Sequence, residues 1–201
     1  MKVMKFGGTS VGKPQRMHEV AKLITADAEP KIVVLSAVSG TTNSLVEISN
    51  LLANGDRLTA KQKIDALEAQ YQQFISELVK TETAVTAAKD ILKEHFEFLN
   101  IILKISYSEA LSKDILAQGE LLSTKLFSVY LSEQGLNHLL LPALDFMSID
   151  NNNEPQVPQI KTKLQAILQH HSSTPLFITQ GFICRNAKGE VDNLKRGASD
   201  Y

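Results

Sequence analysis

Lys5-Phe6-Gly7-Gly8-Thr9-Ser10-Val11-Gly12-Lys13 gathers two lysines, three glycines and two hydroxyls within nine residues. A glycine loop between a strand and a helix presents backbone N–H groups to an anion. The plainer reading is a tight turn that needs glycine. Gly7 and Gly12-Lys13 also fit P-loop spacing, in which the next residue is a Ser or Thr whose hydroxyl binds magnesium. Here that residue is Pro14, with no hydroxyl and no N–H. No apolar strand ending in a magnesium-binding Asp follows; Leu144-Asp145 comes close behind Pro142. A P-loop NTPase is therefore kept only as the alternative. Ser36 and Thr42 lie in and beside a second loop, where hydroxyls also serve as helix caps. Glu120 reads as opening a helix, a place where the dipole favours an acid. Arg196 is able to hold a carboxylate with two parallel N–H bonds, or is a surface charge. Ser199-Asp200 reads as a helix N-cap with an acid in the first turn.

These residues need elements to position them. Val3 to Phe6 reads as a strand that ends at Gly7-Gly8. Pro14 suits the first turn of a helix, and Met17, Val20, Ala21 and Ile24 follow at helical spacing. Ile32 to Leu35 is a continuous apolar run of the kind buried on both faces. It ends in the small-residue loop Ser36 to Gly40. Thr42, Asn43 or Ser44 is expected to cap the next helix, with Gly55 closing it. Thr59 and Gln62 match a capping box. Behind them Ile64, Leu67, Tyr71, Phe74, Ile75 and Leu78 form one apolar stripe, read as core packing. Further helices are expected from Ala84 to about Ile105 and from about Gln118 to Glu133, the last stopping at Gly135. Leu139 to Leu141 and Leu176 to Ile178 are strand candidates. Asn151 to Pro158 reads as a loop and Asn186 to Gly189 as a hairpin turn. Strand–helix alternation with buried-type strands implies an α/β sheet covered on both faces. The stretch from about 55 to 118 is a helical excursion, a lid or side subdomain of the same domain.

Composition narrows the function classes. The chain has 201 residues, 43% hydrophobic and 21% charged, with a formal net charge of −1. Those values fit a globular protein and exclude disorder as the main state. A near-neutral chain has no broad pull on nucleic acid or anionic lipid. No apolar run approaches the ~20 residues of a membrane span. The one cysteine, Cys184, cannot form an internal disulfide; it reads as a packing thiol in a reduced cytoplasmic protein. His18, His95 and His138 have no partner at metal-ligand spacing, and His170-His171 read as solvated at a helix end.

Taken whole, Lys5-Phe6-Gly7-Gly8-Thr9-Ser10-Val11 resembles the N-terminal signature of the aspartokinases. Three later blocks fit the same family in order: Val34-Leu35-Ser36-Ala37 through Gly40-Thr41-Thr42-Asn43, then Gly119-Glu120-Leu121-Leu122-Ser123, then Arg196-Gly197-Ala198-Ser199-Asp200-Tyr201. The resemblance spans residues 3 to 201. It implies an amino acid kinase fold, a three-layer αβα sandwich with a mostly parallel sheet. It also implies ATP-dependent phosphorylation of the L-aspartate side chain, with Mg2+, opening the lysine, threonine and methionine pathway. By resemblance Lys5 is the catalytic lysine at the transferring phosphoryl group. Gly7, Gly8, Thr9 and Ser10 bind phosphate; Ser36, Thr42, Glu120, Arg196 and Ser199 bind aspartate. Glu120 takes the ammonium and Arg196 a carboxylate. Asp200 is the catalytic-site aspartate, and no protein metal ligand is assigned. Ala198 departs from the family's usual glycine.

A capped helix start at Ser199-Asp200 with nothing behind it reads as a cut through the domain. The expectation is an N-terminal piece of the catalytic domain, without regulatory ACT domains, inactive in isolation and prone to self-associate along an open sheet edge. A non-catalytic fragment is the other alternative.

Overall fold

Five residues of β2 (Lys31–Leu35) organise the molecule. Side chains alternate across a strand, so Val33 and Leu35 enter one apolar cluster while Ile32 and Val34 enter another on the opposite side. The computed structural model describes residues 1–194. In it β2 pairs in parallel with β1 (Lys2–Phe6) and with β4 (Leu176–Gln180), and β4 pairs in parallel with β3 (Leu139–Leu140). The strand order is β1-β2-β4-β3.

Helices cover both faces. On one side lie α1 (Pro14–Ile24), α2 (Thr41–Ala53), α3 (Arg57–Leu78), α4 (Glu82–Ile102) and α5 (Glu109–Glu133), which share the larger core with Val33, Leu35 and Ile178. On the other side α6 (Ala143–Phe146) and α7 (Val157–His170) pack over Ile32 and Phe177. This is the expected three-layer α/β arrangement. A separate antiparallel hairpin joins β5 (Ile183–Arg185) to β6 (Val191–Asn193). Its turn is the expected one, closed by Gly189 at φ +81°, with the Asn186 carboxamide oxygen accepting from the Lys188 and Glu190 amides. Cys184 on β5 is fully buried, and that burial pushes its thiol up to about 12.

Several helix starts differ from the sequence reading. None of Thr42, Asn43 and Ser44 caps α2. The N-cap is Gly40 at φ +86°, with no side-chain cap bond; glycine reaches this left-handed conformation without strain. Gly55 does follow the helix end, at φ +77°. The Thr59–Gln62 box is not the start of α3. Asp56 caps it, its carboxylate accepting from the Thr59 amide at 3.0 Å, because a nearer acid took the role. α5 begins at Glu109, where Ser108 accepts from the Leu111 amide, rather than near Gln118. Pro158 lies in the first turn of α7 and not in a loop. Proline is suited to a first turn because its missing N–H would have no partner there.

Candidate active site at the strand C-termini

The loops after β1 and β2 are pressed together at the C-terminal edge of the sheet. Ser10 donates its amide to the Gly7 carbonyl at 2.8 Å, and Arg16 donates to the Thr9 carbonyl at 2.7 Å. A Cβ on Gly8 would sit 3.3 Å from the Ala37 carbonyl oxygen. On Gly12 it would sit 2.8 Å from the Ser39 Cβ and 2.9 Å from the Gly8 oxygen. Gly12 is thus needed for close approach, a role the sequence reading did not give it. Its P-loop-like spacing from Gly7 was the available signal. Gly7 has open space around it.

Ser36 is held from two sides. Its amide donates to Phe6 at 3.1 Å, and its carbonyl accepts from the Ser123 hydroxyl at 2.7 Å. Thr42 lies half-buried in the first turn of α2. Gly119 of α5 packs against this segment; a Cβ there would lie 3.0 Å from the Ala37 Cβ. That close approach accounts for a glycine inside a helix, and it explains why Gly119 misleads a reading of where α5 starts.

Glu120 does not open a helix. It lies in the middle of α5, 5% exposed, so the dipole reading fails. Its Oε2 instead accepts from the Gly181 and Phe182 amides at 2.9 and 2.7 Å, just past the end of β4. Burial nevertheless pushes its carboxyl up to about 7, while those amides and the nearby Lys5 ammonium favour the ionised form. The loop below is braced by Gln180, whose amide nitrogen donates to Thr124 Oγ1 at 2.7 Å and whose oxygen accepts from the Ala143 amide at 2.8 Å. Thr124 in turn donates to the Glu120 carbonyl at 2.8 Å. Gln180 and Thr124 were missed in the sequence because neither has a motif; their link depends on β4 docking beside α5.

Lys5 stands on β1 in register with Val34 of β2. It points to the α6–α7 side, since Met4 and Phe6 pack into the other core. Lys5, Ser36, Thr42 and Glu120 therefore gather at one edge, the edge where open α/β sheets bind ligands. Arg196, Ala198, Ser199 and Asp200 lie outside the described residues.

The sequence profile of the amino acid kinase family matches residues 1–201. The chain belongs to the amino acid kinase family. Membership replaces the P-loop reading of Gly7 to Lys13. This amino acid kinase chain is 32% identical over 202 residues to lysine-sensitive aspartokinase 3 of Escherichia coli K12, covering 99% of the chain and 44% of that protein. It is 32% identical over 200 residues to bifunctional aspartokinase/homoserine dehydrogenase 2 of the same organism, covering 98% of the chain and 24% of that protein. Its fold matches the crystal structure of E. coli aspartokinase III in complex with aspartate and ADP, at a TM-score of 0.82 and 30% identity, over 100% of this chain and 45% of that one. The lysine- and aspartate-bound T-state gives 0.84 at 29% identity. The chain thus spans under half the length of these aspartokinases.

Proposed function

We propose that this chain forms the aspartate-facing part of an aspartate kinase, which phosphorylates the side-chain carboxylate of L-aspartate to 4-phospho-L-aspartate at the expense of ATP. The observation that carries the reading is the buried carboxyl of Glu120, held by the Gly181 and Phe182 amides beside the Ser36–Thr42 segment, with the Lys5 charge favouring its ionised form. The likeness to aspartokinases that bind aspartate and ADP supports it. Two anions must meet in this reaction, so the site has to supply cations and N–H donors in fixed positions. The substrate carboxylate oxygen attacks the γ-phosphorus and ADP leaves. Lys5 is assigned to the transferring phosphoryl oxygens, and Gly7, Gly8, Thr9 and Ser10 to the phosphates. Ser36, Thr42 and Ser199 are assigned to aspartate and Arg196 to one of its carboxylates. Glu120 takes the ammonium, whose charge would favour its ionised form. Asp200 orients phosphates and cation. Mg2+ is assigned to the nucleotide as part of the substrate. The product would feed lysine, threonine and methionine synthesis in the cytoplasm, from a self-associating protein.

Trapping with hydroxylamine tests the reading. The complete protein carrying this chain should form aspartyl hydroxamate only with both ATP and L-aspartate present. Hydroxamate from another amino acid but not aspartate, or none at all, would overturn it.

A further inference from the structure

The apolar stripe of α3 contains one residue that does more than pack. Tyr71 is 2% exposed, and its ring lies 6.1 Å from those of Phe74 and Phe96. Its hydroxyl meets the Thr41 hydroxyl at 2.8 Å. Thr41, also 2% exposed, is the first residue of α2 and the neighbour of Thr42. A cleft of about 160 Å³ borders this contact, lined by Gly12, Ser39, Thr41, Gln70, Tyr71 and Phe74. From α5, a Cβ on Gly119 would come within 3.0 Å of Ala37, 3.3 Å of Leu45 and 3.5 Å of Thr41, so that helix also packs closely on the segment. The start of α2 is therefore gripped between α5, one residue from Glu120, and α3.

We propose that Tyr71 is a positioning residue for aspartate, setting through Thr41 the distance between Thr42 and Glu120. The role rests on the aspartate kinase reading above. Two buried hydroxyls bonded to each other have one preferred spacing, and removing one leaves the other without a partner. Burial also raises the Tyr71 phenol above its ordinary value, so it stays protonated at all working pH values.

The test is kinetic and uses the complete protein. Tyr71→Phe keeps the ring and removes only the hydroxyl. It should raise KM for aspartate about three- to tenfold, the scale of one lost hydrogen bond, with KM for ATP unchanged. Thr41→Ser, which keeps a hydroxyl, should stay near wild type, while Thr41→Val should reproduce the Tyr71→Phe effect. The two defects should not multiply in the double variant. Amide hydrogen exchange at Thr41 to Ser44 should speed up in Tyr71→Phe without aspartate present. A fall in melting temperature with KM for aspartate and local exchange unchanged would overturn the positioning role. So would KM values for both substrates rising together. A wild-type protein that makes no aspartyl phosphate would instead overturn the reading on which the role rests.

Discussion

Two lysines on neighbouring strands occupy opposite ends of one sheet. Lys31 starts β2 and is 1% exposed. Its ammonium is surrounded by the Asp27 carboxylate and by the Asp27 and Glu29 carbonyls at 3.3 and 2.8 Å, all within four residues. Lys5 is exposed, one residue before the end of β1, and its charge favours the ionised form of Glu120, which comes from a distant helix. At the strand N-termini the charge is neutralised by its own loop. At the strand C-termini charge is gathered from remote segments, and a carboxyl there stays near 7 despite two amide donors. The first arrangement holds a turn. The second brings together segments far apart in the chain.

Removing Lys5 should sharpen the contrast most. In the complete protein Lys5→Ala should lower kcat by about 10²–10³, the usual loss for one preorganised charge donor, with little change in either KM. A rate within threefold of wild type would remove Lys5 from catalysis.

Glu120→Gln keeps the shape and the acceptor oxygen. It should weaken aspartate binding by roughly 2–4 kcal/mol if the ammonium is desolvated there, leaving ATP affinity nearly intact. Calorimetric titration of each substrate separates these outcomes; equal losses would make Glu120 a brace for the Gly181 loop. The same variant tests the electrostatics. A carboxyl raised from 4.5 to about 7 on folding binds its proton more tightly in the folded state. Stability should therefore fall as pH rises from 4.5 towards 7, and the Gln variant should lose that slope.

The smallest effect belongs to the other end. Asp27 is lowered from 3.8 to about 2, first by its bond to Lys31. Its stabilisation is present above 3.8 and lost as pH falls towards 2, so Asp27→Asn should flatten that acid limb in thermal melts. Salt should weaken the difference, because Asp27 is half-exposed. Kinetic constants should not move.

The sheet and most helices were legible because their signals are local. Ile32 to Leu35 and Leu176 to Ile178 are too short and apolar to be surface strands, and Gly55 and Gly189 punctuate at the expected points. Helix starts were less legible, since Asp56 and Thr59 both offer capping chemistry and only packing chooses between them. The sequence points to Lys5, Ser36, Thr42 and Glu120 as candidates, but not to their surroundings. The two amides that hold Glu120 lie some 60 residues further on, and no spacing rule connects them. Tyr71 was seen as apolar stripe because its hydroxyl partner belongs to another helix.

The pairing of β2 with β4 also has a consequence in time. Val33 lies beside Ile178, with α2 to α7 between them in the chain, and closing so long a loop is slow compared with joining adjacent helices. Docking of β4 is what brings the Gly181 and Phe182 amides to Glu120. The burial that pushes the Glu120 carboxyl up to about 7 is therefore expected to await this long-range pairing. Pulse-labelling exchange during refolding should show the α3 and α4 amides protected before those of Ile178, Gly181 and Phe182.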